Sequence, residues 1–163
     1  MKKLLLSIAM LLMSIIGYSQ VKIYKGLSNY SSDVLFTVYN DKVYKGNSNY
    51  SSDVVCNIID NKIYRKNSNY SSDVLFTIKD GKVYKGNSNY SSDIIMTIID
   101  GKLYKNNSNY SSDIIANVSE GKVYSKNSNY SSDVQYSIND NLTIEEFVAV
   151  WYAVKYVYWI FRI

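Results

Sequence analysis

Residues 80–93 read DGKVYKGNSNYSSD, in which a two-residue turn signal precedes a short apolar segment and a polar hexapeptide. The hexapeptide SNYSSD occurs six times at a constant spacing, beginning at residues 28, 48, 68, 88, 108 and 128. The stretch therefore belongs to a 20-residue repeat, and six copies fill residues 21–140 without an insertion. A fixed period of this kind is the sequence signature of a repeat architecture.

Each copy contains two short segments with the composition of β-strands. The first has Lys, an aliphatic residue and Tyr in succession, as in Lys82-Val83-Tyr84, and the second is an apolar run such as residues 74–78, VLFTI. β-Branched and aromatic residues are typical of strands. The repeat therefore predicts two strands per copy.

The second strand alternates with a period of two, which places Val34, Phe36 and Val38 on one predicted face. The side chain in the middle of this face changes size from copy to copy. The residues at this position are Phe36, Cys56, Phe76, Met96, Ala116 and Tyr136. Variable volume at a fixed position predicts packing against one asymmetric object.

Turn signals separate the second strand of one copy from the first strand of the next. Pairs such as Asp80-Gly81 tolerate positive φ and favour two-residue hairpin turns. The five predicted hairpins span residues 34–46, 54–66, 74–86, 94–106 and 114–126. Segments near 22–26 and 134–138 are left over, and their pairing would close a ring and remove exposed edges. We expect an all-β fold, a radial ring of five to six β-hairpins, similar to a propeller, over residues 20–140.

The N terminus, residues 1–19, has the pattern of a secretory signal peptide. Lys2 and Lys3 precede an apolar run at residues 4–16, and small residues suit a cut after Ser19. This run of 13 residues is short of the roughly 20 that cross a bilayer. We expect an exported protein that is periplasmic, attached to the cell surface or extracellular.

Composition excludes several kinds of chemistry. The chain has no His and one Cys, Cys56, so it has neither an intrachain disulfide nor a Cys-His or Ser-His-Asp catalytic arrangement. Lys and Asp recur in every repeat, and the sequence shows no basic cluster of the kind that binds nucleic acid. Identical Asp residues in identical surroundings give no separation of acid and base. We expect no enzyme activity, no cofactor, no metal and no nucleic-acid partner.

The C-terminal tail, residues 141–163, abandons the repeat. Thr143 and Glu146 form a capping box pattern, with Leu142 and Phe147 placed for a hydrophobic staple. This predicts an apolar helix over about 144–160, and such a helix is either buried or in a membrane. We expect it to pack on the repeat domain and to bury Phe147, Trp151, Val154 and Tyr158. The alternative is peripheral membrane or partner contact through residues 147–161, which are rich in Trp and Tyr.

The repeat motif of residues 80–93 and the tail sequence LTIEEFVAVWYA at residues 142–153 resemble bacterial proteins described as five-fold beta-flower proteins. The resemblance covers about residues 21–158. It implies an all-β radial arrangement of hairpins and brings no established activity with it. Six hexapeptides agree with a five-fold ring only if the end strands pair or one half-repeat lies apart.

The hexapeptide itself has two interpretations. As structure, it is a link in which Asn, Ser and Asp bond to nearby backbone and Tyr packs over the next hairpin. As a site, it offers an aromatic ring beside amide and carboxylate groups, which suits a glycan or another cell-surface component. One Asp per copy is too few for calcium. The candidate ligand-binding residues are Asn29, Tyr30, Asp33, Asn49, Tyr50, Asp53, Asn69, Tyr70, Asp73, Asn89, Tyr90, Asp93, Asn109, Tyr110, Asp113, Asn129, Tyr130 and Asp133.

Overall fold

The computed structural model describes residues 20–158. The predicted signal peptide, residues 1–19, and the end of the predicted helix, residues 159–163, lie outside the described residues, as does the side chain of Tyr158. Over residues 20–158 the chain forms 12 strands, a short 3-10 turn in each hexapeptide and one α-helix that follows the repeats.

Each copy of the repeat supplies two strands, as predicted. The strands are β1 Val21–Lys25, β2 Val34–Tyr39, β3 Lys42–Lys45, β4 Val54–Ile59, β5 Lys62–Arg65, β6 Val74–Lys79, β7 Lys82–Lys85, β8 Ile94–Ile99, β9 Lys102–Lys105, β10 Ile114–Ser119, β11 Lys122–Ser125 and β12 Val134–Ile138. At the turn between β6 and β7, φ is 52° for Asp80 and 71° for Gly81. Positive φ at both positions is what a type I′ hairpin turn requires. The five predicted hairpins are confirmed.

The two ends of the repeat region close the ring. β1 pairs antiparallel with β12, with Ile23 opposite Ile138. Every strand thus has two hydrogen-bonded neighbours, and the result is a closed barrel of 12 strands. The barrel contains six hairpin units, one of them assembled from both ends of the repeat region. The predicted pairing of the end segments is confirmed, and the hairpins form one continuous sheet instead of separate propeller-like blades.

A β-bulge in each even-numbered strand changes which residues face the lumen. Ile23 lies opposite Phe36 and Tyr24 lies opposite Val34, so Leu35 is the extra residue. Val34 therefore shares the outer face with Tyr24, while Leu35 packs against the core. The predicted face of Val34, Phe36 and Val38 is wrong at Val34, because the bulge interrupts the alternation.

The inner face of the barrel carries the hydrophobic core. The aliphatic residue of the first strand is fully buried in every copy. These residues are Ile23, Val43, Ile63, Val83, Leu103 and Val123. Each pairs with the size-variable residue of the next strand, for example Val43 with Cys56, so both belong to one continuous inner layer.

The predicted helix begins with its predicted cap. The Glu146 N–H donates to Thr143 Oγ1 at 3.2 Å, and the Thr143 N–H donates to Glu146 Oε2 at 2.9 Å. These reciprocal bonds make the capping box of helix α1, Ile144–Tyr152. A π-helical segment, Ala153–Tyr158, continues α1.

Helix α1 lies inside the barrel. Val148, Ala149 and Val150 are at most 1% exposed, so the helix is covered on all sides. Cys56 of β4 approaches it on one side, with Sγ 3.8 Å from the Ala149 carbonyl oxygen. Lys155 reaches β12, where Nζ donates to Gln135 Oε1 at 2.8 Å. The helix therefore occupies the lumen, whereas the sequence predicts only that it packs on the repeat domain.

The helix is off centre in the lumen. It lies nearest to β2, β3, β4 and β5. On another side, a cavity of about 120 Å³ separates Val148 and Trp151 from Met96 and Ile115. Three of the side chains that the sequence predicts to be buried are Phe147, Trp151 and Val154, and they are 9%, 7% and 2% exposed. Among residues 20–158, no helix is long and apolar enough to cross a bilayer.

Candidate functional site

The six hexapeptides lie at one end of the barrel, which we call the loop rim, and the two-residue turns form the opposite end, the turn rim. The N terminus of α1 is at the turn rim, where Thr143 lines a cavity together with Gly101 and Gly121. The helical segment ends at the loop rim, where Lys155 lines a cleft together with Asp133. The loop rim therefore surrounds the end of the helix.

Each hexapeptide closes on itself through three hydrogen bonds. In the copy at residues 68–73, Ser68 Oγ donates to Asp73 Oδ2 at 2.6 Å, and the Tyr70 N–H donates to Ser68 Oγ at 3.2 Å. The Asp73 N–H donates to the Tyr70 carbonyl at 2.9 Å. All six copies make the same bonds. The Ser and Asp side chains of the hexapeptide therefore stabilise a turn.

Replacing Ser68 by Ala tests this role. The change removes both side-chain hydrogen bonds of one loop, so we expect it to lower the free energy of unfolding by about 1 to 2 kcal/mol. Chemical denaturation followed by circular dichroism measures the effect. Ser71→Ala in the same loop is the matched control, because Ser71 is exposed. Equal stability of the two variants would show that the Ser68 bonds do not stabilise the loop.

A polar residue on the outer face holds each loop against the barrel. Thr37 Oγ1 donates to the Gly46 carbonyl at 2.8 Å, and Asn57 Nδ2 donates to the Ser68 carbonyl at 3.1 Å. The equivalent donors in the other copies are Thr77, Thr97, Asn117 and Ser137. Sequence reasoning missed these residues, although a polar residue recurs within the apolar run of every copy.

The Tyr side chains of the hexapeptides face the solvent. Each is 71–73% exposed. They are Tyr30, Tyr50, Tyr70, Tyr90, Tyr110 and Tyr130. The predicted packing of these rings over the neighbouring hairpins is wrong, because the turn uses the Tyr backbone and leaves its side chain outside.

The predicted site residues thus divide into two groups. The six Asn side chains, from Asn29 to Asn129, are exposed beside the Tyr rings. The six Asp residues, from Asp33 to Asp133, are half-buried. Each accepts a hydrogen bond from the hydroxyl of the first Ser of its hexapeptide. Asn and Tyr are therefore exposed in every copy at the loop rim, whereas the Asp carboxylates are hydrogen-bonded within the turns.

Five cationic residues form a ring at the same rim, which we call the basic crown. Lys45 lies opposite Phe36 in the barrel, and Arg65 lies opposite Cys56. Because opposite residues share a face, the crown lies on the inner face just above the core. Its members are Lys25, Lys45, Arg65, Lys85 and Lys105, and Ser125 takes the sixth position. The sequence shows a recurring Lys but not the shared face.

Clefts separate the end of the helix from the loop rim. One of about 420 Å³ is lined by Lys25, Asp133 and Lys155. Another of about 750 Å³ is lined by Lys45, Arg65 and Tyr156. Lys155 Nζ lies 4.8 Å from the centre of the Trp151 ring, and burial lowers the pKa of this amine. Cationic groups therefore line both clefts, and aromatic rings line the larger one.

Two observations on residues 20–158 concern metal binding and thiol chemistry. This part of the chain contains no group of three or more His, Cys, Asp or Glu placed to hold a metal ion. The Cys56 thiol is fully buried, and burial raises its pKa. A protonated thiol without access to solvent is a poor nucleophile.

The comparisons with known proteins bear on the fold. No curated protein and no solved structure was found to match the chain. A family model described as "6-fold beta flower protein" matches residues 23–151. Its six-fold description agrees with the six hairpin units of the closed barrel, so the five-fold count implied by the sequence resemblance is not confirmed. Since the match includes both the repeats and most of helix α1, the chain belongs to the six-fold beta-flower family.

Proposed function

We propose that the protein is an exported, non-catalytic binding module whose loop rim binds glycans at several sites at once. One observation carries the proposal. Six Tyr rings, each 71–73% exposed, stand beside exposed Asn side chains in loops whose hydrogen bonds need neither side chain. Tyr is among the residues enriched at recognition surfaces.

The chemistry of this surface suits sugars. The C–H face of a pyranose packs on an aromatic ring, and its hydroxyl groups bond to amide and hydroxyl groups. Adjacent copies are separated by two strands, which corresponds to about 10 Å at the barrel wall. That distance is close to the length of a disaccharide. Weak sites at this spacing gain strength when one polymer occupies several of them.

Contact of residues 147–161 with a membrane or partner is the weaker alternative. Seven residues of this segment are buried in the lumen: Phe147, Val148, Ala149, Val150, Trp151, Ala153 and Val154. Exposing them would remove the core of the barrel. Of the part of this segment that the structure describes, Tyr156 is 55% exposed and lies at the loop rim.

A glycan array tests the proposal. We expect the chain that begins at Gln20 to bind at least one class of glycan, and a variant with all six hexapeptide Tyr changed to Ala to lose binding. Because these rings are exposed, the variant should keep the circular dichroism spectrum of the unchanged chain. A variant with Ser31, Ser51, Ser71, Ser91, Ser111 and Ser131 changed to Ala alters the same loops and is the control. Absence of binding by the unchanged chain, or equal binding by the Tyr variant, would refute the proposal.

A further inference from the structure

We propose that the glycan bound at the loop rim is anionic and that the basic crown binds its carboxylate or sulfate groups. The inference rests on the proposed function and specifies the class of ligand. Its basis is the combination of a ring of cations on the inner face with six exposed Tyr side chains at the same end of the barrel.

Four of the five cationic groups of the crown, those other than Lys45, are available to a ligand. All five members are exposed. Within residues 20–158, Lys25, Arg65, Lys85 and Lys105 have no ion pair with a carboxylate. The nearby Asp side chains of the loops already accept hydrogen bonds from Ser hydroxyl groups. An incoming anion therefore does not have to displace an existing ion pair from these four residues.

The arrangement of the crown favours an anion electrostatically. Like charges on one closed ring repel each other, and a bound anion relieves this repulsion. Two further cations strengthen the field, because Lys155 lines the cleft beside Lys25, and Lys66 lines the cleft beside Arg65. Clefts lined by one predominant sign of charge concentrate ligands of the opposite sign.

The spacing of the crown suits a polymer with regularly spaced charges. Crown residues recur once per 20-residue copy, as the Tyr rings do. Neighbouring members are therefore also about 10 Å apart, two strand separations along the barrel wall. A polysaccharide with an acidic group on each sugar or each disaccharide can place a charge near each cation while its sugars contact the Tyr ring.

An anionic polymer fits this rim better than an anionic membrane does. Each exposed Tyr is flanked by an exposed Asn and by exposed Ser residues, as Tyr70 is by Asn69 and Ser71. When a ligand covers these side chains they lose water and need other hydrogen-bonding partners, which hydroxyl groups of sugars supply and acyl chains do not. The rim therefore presents alternating aromatic and polar groups, a surface suited to a carbohydrate.

Binding to polygalacturonate tests the inference, with its methyl ester as the uncharged counterpart. The crown variant carries Gln at Lys25, Lys45, Arg65, Lys85 and Lys105. The control variant carries Gln at Lys22, Lys42, Lys62, Lys82 and Lys102, which are half-exposed residues near the turn rim. Both variants lose five positive charges, so they differ in the position of the change and not in net charge. Circular dichroism and the melting temperature confirm that both remain folded.

We expect the crown variant to bind polygalacturonate on the order of 10- to 1000-fold more weakly than the unchanged chain, while the control variant binds within about threefold of it. We also expect the methyl ester to bind more weakly than the acid, and added salt to weaken binding of the acid. Sulfated dextran, compared with carboxymethyl dextran, distinguishes sulfate from carboxylate as the preferred group.

The failures of the two proposals differ. Equal binding of the acid and its ester, or equal losses in both variants, would overturn the anionic inference and leave glycan binding in place. Tighter binding to vesicles that contain phosphatidylglycerol than to any glycan would also overturn it. If the unchanged chain binds no glycan on the array, neutral or acidic, the proposed function fails and the inference fails with it.

Discussion

A chain of residues 20–140, which lacks helix α1, is expected to lose the cooperative unfolding transition of the chain of residues 20–163. Phe147, Val148, Val150, Trp151 and Val154 are buried in the lumen. At about 1.5 to 3 kcal/mol each, these side chains contribute on the order of 10 kcal/mol. That is comparable to the whole stability of a typical domain, about 5 to 15 kcal/mol. Thermal melting followed by circular dichroism measures the loss.

A peptide of residues 141–163 provides the control for this truncation. Added to the chain of residues 20–140, it should restore part of the barrel signal, because the lumen then regains its core. A truncated chain that melts cooperatively near the temperature of the longer chain would contradict the account. The barrel would then be stable without the helix, and the helix would be free to act elsewhere.

Cys56→Phe is the point substitution with the largest expected effect. Cys56 is fully buried and its Sγ lies 3.8 Å from the Ala149 carbonyl oxygen, so the larger ring has no space beside the helix. We expect a loss of about 3 kcal/mol or more in the free energy of unfolding, the upper end for overpacked cores. Urea denaturation of the variant and the unchanged chain gives the difference.

Phe at this position of the repeat is not in itself unfavourable. Phe36 and Phe76 occupy the same position in other copies, and Phe76 packs edge-on against Tyr152 with ring centres 5.7 Å apart. Cys56 differs because its Sγ lies directly against the backbone of the helix. Cys56→Ala, which leaves the helix undisturbed, is the control and should cost about 1 kcal/mol. If Cys56→Phe costs no more than Cys56→Ala, the helix does not pack against β4 as described.

Local sequence signals predict the hairpins but not the bulges. Asp80-Gly81 and three of its counterparts have positive φ at two consecutive positions, which few residues adopt, and so they specify two-residue turns. By contrast, Val34, Leu35 and Phe36 are all apolar, so alternation alone does not show which of them is the extra residue. The register of the partner strand decides it, and register depends on the closed barrel.

The sequence likewise predicts the helix but not its position in the fold. Its capping box and its apolar surroundings follow from residues 143–154, and both are evident in the sequence. A helix that packs beside the ring and a helix inside it need the same apolar residues. The position of the helix in the lumen is therefore not evident from the sequence. The variable series from Phe36 to Tyr136 does predict an asymmetric object within reach of the inner face.

The candidate site was partly predictable. Asn and Tyr of the hexapeptide are at the exposed rim, whereas Asp33 and its counterparts form the turns. Repetition alone does not separate these roles, since all positions of SNYSSD are invariant. The basic crown was missed because its members are 20 residues apart and meet only when the barrel closes.

The most direct test of the central claim is a binding series against the number of intact Tyr copies. The chain with six Tyr is compared with variants that carry Ala at Tyr30, Tyr70 and Tyr110, or at all six positions, on a surface coated with the glycan polymer selected by the array. The account predicts binding at least about tenfold weaker with three copies and lost with none, since avidity depends steeply on the number of sites. Binding that does not change across the series would contradict a multivalent site at the loop rim.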